Sequence, residues 1–226
     1  MPETFRNWII KKDWATINIS NVVVGVSALF IVATRLTRYV SQREKEKSYI
    51  DSLESQANKL PIVSLLRSDP TFEEGIRPYD HIAPESRSHH FTAGTLQGKG
   101  KFAIRHIVFF STEKMELVVI SHVGSDMCGH DGIVHGGLIS TLMDELFART
   151  VIPFLPDRNG ATAYLHVNFR KPLGANQFVV GKCKVTKLEG RKGFVEGTLE
   201  TLEGQTVVDG NALFISLKKL VTQKSS

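Results

Sequence analysis

Cysteine is scarce in this chain: Cys128 and Cys183 are the only two in 226 residues, and they form no CxxC pair. A secreted scaffold built on disulfides is thereby excluded, and a reducing compartment fits better. Clustered metal ligands are lacking too. His89-His90 stands without partner ligands, so neither a metal nor another cofactor is expected. A phosphate-binding loop is also missing. Gly94-Thr95-Leu96-Gln97-Gly98-Lys99 is one residue short of that motif, and Gly100 follows where Ser or Thr is needed. The net charge of +5 is not concentrated, because Lys and Arg are interleaved with Asp and Glu along the chain. That spread argues against nucleic acid as a partner and leaves an anionic ligand or a membrane surface. The length suits one ordinary domain with an extension, not two full domains.

One stretch is short of charge instead. Trp14 to Thr34 carries no charged side chain, and Val22 to Ala33 is almost wholly apolar. Arg6, Lys11 and Lys12 precede it and Arg35, Arg38 and Arg43 follow, with Trp8, Trp14 and Tyr39 at interfacial positions. Since about 20 mainly apolar residues cross a bilayer, residues 17–38 are expected to form a transmembrane helix after a basic segment at 1–16. A cleaved signal peptide and a buried or targeting helix are the alternatives. Residues 39–60 read as a polar helical spacer of mixed charge, ended by Pro61. Residues 61–99, with Pro70, Pro78 and Pro84, read as a short helix plus irregular lead-in.

From residue 100 to residue 218 the pattern is α+β, with residues 219–226 as a disordered tail. Phe102–Phe110 and Glu116–Val123 are rich in β-branched and aromatic residues and flank the polar turn Ser111-Thr112-Glu113-Lys114, which predicts a hairpin. A helix is expected over Gly137–Val151, where Leu138, Ile139, Leu142, Met143, Leu146 and Phe147 form a broad apolar face. Asp144 and Glu145 lie off that face. Further strands are expected over Tyr164–Phe169, Val179–Val185, Phe194–Thr201 and Val207–Leu217, with turns at Glu189-Gly190 and Glu203-Gly204. A lone helix among antiparallel strands must be covered by their sheet.

Chemistry concentrates in His135-Gly136-Gly137 and Asp144. Two glycines at a helix start leave N–H groups uncovered, and the helix dipole adds positive potential. A thioester carbonyl turning into an oxyanion would be stabilised there. Asp144 supplies a carboxylate, as general base for water or as nucleophile. Gly137 and Asp144 are separated by about 10 Å along a helix rising 1.5 Å per residue. One helix therefore cannot serve one carbonyl with both, and a two-fold partner could complete the site. Cys128 near His130 reads as a bystander, and the hydratase pattern that His130 and Asp131 would begin is absent.

His135-Gly136-Gly137 with Asp144 nine residues after the histidine resembles the signature of hotdog-fold thioesterases, of the phenylacetyl-CoA and mammalian thioesterase-superfamily types. Tyr164-Leu165-His166-Val167-Asn168-Phe169-Arg170-Lys171-Pro172 is similar to the following strand of those proteins. The resemblance implies an antiparallel sheet of about six strands wrapped around one central helix. It implies acyl-CoA hydrolysis, Thr162 as a further active-site residue, and a homodimer or dimer of dimers. Asn168, Arg170 and Lys171 would meet substrate, the two cations at CoA phosphates. The layout of anchor plus hotdog domain also resembles a fungal family of mitochondrial membranes, which implies that location. A non-catalytic hotdog that binds acyl groups, or a tethered structural subunit, is the alternative.

Overall fold

The computed structural model describes residues 19–79 and 82–217, without the side chains of 19–31 and 84. Two compact units emerge, Met1–Tyr49 and Ile50–Ser226. Helix α1 spans Ile19–Asn58. No helix among the described residues is long and apolar enough to cross a membrane. The transmembrane helix expected over 17–38 coincides with the first part of α1, of which residues 17–18 and the side chains of 19–31 lie outside the described residues; the basic segment at 1–16 and the tail at 219–226 lie outside them altogether. The expected division between that helix and a spacer at 39 is not visible as a break in α1.

In the second unit, Leu53 and Ala57 are buried at the end of α1, and Pro61 opens a new helix, α2 (Pro61–Ser68). Proline suits that first-turn position because its missing N–H would have no helical partner. Val63 and Leu66 bury the apolar face of α2. The lead-in then supplies an unexpected strand, β1 (Glu73–Glu74), which pairs with β2 (Ile107–Ser111). The expected six strands thus become a seven-stranded sheet in the order β1-β2-β3-β7-β8-β9-β6. Its other members are β3 (Glu116–Val123), β6 (Ala161–Phe169), β7 (Gln177–Glu189), β8 (Lys192–Thr201) and β9 (Thr206–Ile215), all antiparallel to their neighbours. A small ribbon, β4 (Cys128–His130) with β5 (Ile133–Val134), precedes the central helix α3 (Gly136–Val151). The first expected strand is shortened: Phe102 to His106 lie outside β2, and Phe102 only bridges to Gln97.

The sheet curls around α3, as binary pattern demands. Ile139, Leu142, Met143, Leu146 and Phe147 are buried against Leu117, Val179, Val195, Leu199 and Phe214 among others. Phe147 is fully buried, and truncation to Ala would cost about 3–5 kcal/mol. Close approach of sheet to helix depends on Gly181, where an added Cβ would lie 2.4 Å from Leu146 Cδ1. Gly190 and Gly204 take positive φ in the two expected turns, at 57° and 79°.

Strand β6 ends the sheet order and pairs on one side only, with β9. Its residues are mostly exposed, with Tyr164 at 46% and Phe169 at 54%. An edge bearing open backbone groups and exposed rings is a template for pairing with another chain.

Candidate active site

The helix start is built by its own histidine. His135 is the N-cap of α3, and its Nδ1 accepts the Gly137 N–H at 2.9 Å. The His135 carbonyl accepts from Leu138 and Ile139 N–H. This corrects the expectation that both glycine amides stand free: of the two, Gly137 N–H is capped, and only Gly136 N–H has no hydrogen-bond partner among the described residues. The cap makes Nδ1 an acceptor, so a neutral His135 carries its proton on Nε2 and offers it outward. A side chain at 137 would press on the ring, since an added Cβ would lie 2.9 Å from Nδ1.

Two clefts flank this helix start. One, of about 310 Å³, runs past Gly136 between Ile133, Ile139, Phe169, Arg170 and Lys171. The other, of about 400 Å³, holds His135 and Gly137 with Phe91, Leu96, Lys101 and Cys128 on its walls. The lead-in therefore contributes to the surroundings of the helix start, which no local pattern in 61–99 signals.

Asp144 is half-buried, and Thr162 Oγ1 donates to its Oδ1 at 2.8 Å. Strand β6 brings the threonine to the helix, so Asp144 and Thr162 meet on the side of the open sheet edge. Gly136 lies eight residues before Asp144, about 12 Å along the axis at 1.5 Å per residue. Within one chain the free amide and the carboxylate do not converge on a common atom.

The strand residues are otherwise engaged. Asn168 Nδ2 donates to Asp209 Oδ1 at 2.8 Å, and His166 Nε2 meets Asn168 Oδ1 at 2.9 Å. Arg170 forms an ion pair with the same Asp209. The Arg170 guanidinium, with the Asn168 amide, holds the Asp209 carboxyl below the usual carboxylate range. Asp209 did not stand out in the sequence. Lys171 has no ion-pair partner among the described residues and stays exposed beside Gly136.

Glu145 points elsewhere. It accepts from Tyr79 Oη at 3.1 Å, from Thr92 Oγ1 at 3.1 Å and from Arg149 at 3.4 Å. Burial pushes the Tyr79 hydroxyl up, which keeps it protonated as a donor. Adjacent carboxylates on one helix thus face different partners, Asp144 towards β6 and Glu145 towards the lead-in. Among the described residues no group of His, Cys, Asp and Glu could hold a metal ion.

A curled antiparallel sheet around one long helix, with a glycine pair at the helix start, defines a hotdog domain. Residues 131–208 match the family model of the thioesterase superfamily. The chain is 33% identical over 160 residues to MIOREX complex component 3 of Saccharomyces cerevisiae, covering 71% of this chain and 58% of that protein. It is 34% identical over 123 residues to a protein of Candida albicans described as uncharacterized and mitochondrial, covering 54% and 55%. With mouse acyl-coenzyme A thioesterase THEM4 it shares 29% identity over 133 residues, covering 58% and 55%. The chain thus spans little more than half the length of these relatives.

Proposed function

We propose that the protein is an acyl-CoA thioesterase that hydrolyses a thioester to free acid and CoA. The observation that carries this reading is the Asp144–Thr162 hydrogen bond at 2.8 Å on the open β6 edge. The acyl-CoA thioesterase named among the relatives supports it. In this reading the Gly136 N–H polarises the carbonyl, with His135 Nε2–H beside it, while Asp144 takes a proton from the attacking water. Thr162 orients the carboxylate. The oxyanion forms against the helix start, the C–S bond breaks, and the CoA sulfur receives the proton that Asp144 holds. Direct attack by Asp144, followed by hydrolysis of the anhydride, is the variant of this scheme. Lys171 is the cation free to meet CoA phosphates; Arg170 can do so only by leaving Asp209.

The active unit in this proposal is at least a homodimer. Pairing of two β6 edges covers Tyr164 and Phe169 and carries Asp144 of one copy towards Gly136 of the other. The membrane anchor over 17–38 rests on the sequence, and exposure of Val32, Leu36 and Val40 on α1 is compatible with lipid contact. A mitochondrial membrane is the proposed location, supported by the relative described as mitochondrial.

Turnover of a panel of acyl-CoAs by the full chain, followed by thiol release, tests the function. Asp144→Asn should lower turnover by roughly 10²–10⁴-fold, the scale of losing a catalytic base, with melting temperature nearly unchanged. Wild-type rates in that variant would overturn the assignment. The second reading, a non-catalytic acyl-binding or structural hotdog, draws on the capped Gly137 amide and on the Asp209 contacts that occupy Asn168 and Arg170. It takes over if the wild type is inert on every acyl-CoA.

A further inference from the structure

A third cleft, of about 540 Å³, lies beside Glu145, Ala148 and Arg149, between the second half of the helix, the curled edge of the sheet and the lead-in. Val108 and Phe110 of β2, Leu117 of β3 and Ile152 give it apolar walls. Phe110 and Leu117 are cross-strand partners, so their side chains share one face of the sheet. Phe110 also meets Phe154 with ring centroids 5.8 Å apart. Ala148, a small residue at this point of the helix, leaves the space open. At the lip stands Ile76, 84% exposed and the most open large hydrophobic residue among those described. A chamber of this size and lining is of the kind that holds small ligands, about 300–1,000 Å³ with a few convergent polar groups.

Apart from Glu145, the polar groups that line this cleft among the described residues are donors. Among the described residues Glu145 is the one carboxylate in the lining, and it already accepts from Tyr79, Thr92 and Arg149. Arg149 gives Glu145 a single contact at 3.4 Å and stacks over the Tyr79 ring at 4.9 Å, leaving most of its five N–H groups unused. His90 caps the turn at Phe91–Thr95 by accepting Ala93 N–H on Nδ1. Neutral His90 therefore carries its proton on Nε2, as a second donor. Apolar walls with spare cationic and neutral donors at one end match a single hydrocarbon chain with an anionic head.

We propose that this cleft is a second ligand site, distinct from the Asp144 site, for a free aliphatic carboxylate: head on Arg149 and His90, chain along Val108, Phe110, Leu117 and Ile152. The Tyr79–Glu145–Thr92 bonds hold the lead-in against α3 and so form the roof. Because Glu145 follows Asp144 directly on the helix, occupancy of this site would be felt next to the proposed catalytic carboxylate.

Photolabelling of the full chain with dodecanoate carrying a mid-chain diazirine, and with the matching dodecanol probe, tests this. Cross-links should map to Ile76, Tyr79 or Ile82 and to residues 108–117 and 148–153, and the carboxylate should label at least about tenfold more strongly than the alcohol, a difference of about 1.4 kcal/mol. Ile76→Glu, at a position too exposed to disturb the core, should abolish carboxylate labelling by placing a negative charge at the mouth. Arg149→Met should erase the preference for carboxylate over alcohol. Asp144→Asn should label as wild type does, which separates this site from the proposed hydrolysis. Cross-links confined to the Gly136 cleft, equal labelling by the two probes, or undiminished labelling of Ile76→Glu would each overturn the proposal.

Discussion

His106 lies just before β2, 5% exposed, edge-on to Phe102 with ring centroids 4.9 Å apart, and its Nδ1 has no protein partner. Burial, reinforced by the charges of Arg149 and Arg77, lowers its pKa from 6.5 to about 3. Between those values the unfolded chain binds a proton that the folded chain refuses, so stability rises with pH across this window. The contribution is fully present above about pH 6.5 and is lost as pH falls towards about 3. At about pH 5 the loss is 1.36 kcal/mol for each of about 1.5 pH units, roughly 2 kcal/mol, and it approaches roughly 5 kcal/mol at the acid end. The assay is urea unfolding of a chain beginning at Ile50, followed by circular dichroism at about pH 7.5 and about pH 5. His106→Phe removes the titration and keeps a ring against Phe102. Wild type should lose about 2 kcal/mol more than the variant between the two conditions. His122, whose pKa burial also lowers, is present in both proteins and cancels in the comparison. Equal losses in the two proteins would refute the reasoning.

The remaining predictions concern the helix, the sheet edge and the N-terminal segment. Glu145→Gln weakens the two hydrogen bonds, from Tyr79 and Thr92, that join the lead-in to α3, so it should increase proteolysis within residues 76–92 while leaving acyl-CoA turnover within a few-fold of wild type. Loss of activity in this variant with Asp144→Asn fully active would mean that the wrong carboxylate has been assigned. Light scattering should find at least a dimer, and Tyr164→Lys on the β6 edge should shift it towards monomer with loss of turnover; a monomer as active as wild type would remove the composite site. Alkaline carbonate should leave the full chain in the membrane pellet and release a chain beginning near residue 60, whereas release of the full chain would defeat the anchor.

Features that repeat or break locally were legible in the sequence. Residues 139, 142, 143, 146 and 147 mark the buried face of α3 because helical geometry returns them to one side. Gly190 and Gly204 mark their turns because positive φ is costly for other residues. His135-Gly136-Gly137 and Asp144 were legible as a helix start and a carboxylate. Which distant groups meet became visible only in the packed fold. Thr162 reaches Asp144 across 18 residues, Arg170 reaches Asp209 across 39, and Tyr79 reaches Glu145 across 66. The capped Gly137 amide depends on a rotamer of His135, and β1 is two exposed glutamates with no strand signature of their own. The physical reason is that periodicity records which face of an element is apolar, whereas hydrogen bonds depend on direction and distance once the elements have packed. Asp144 and Glu145 adjoin in sequence and are alike in chemistry; the fold alone sends one to the sheet edge and the other to the lead-in.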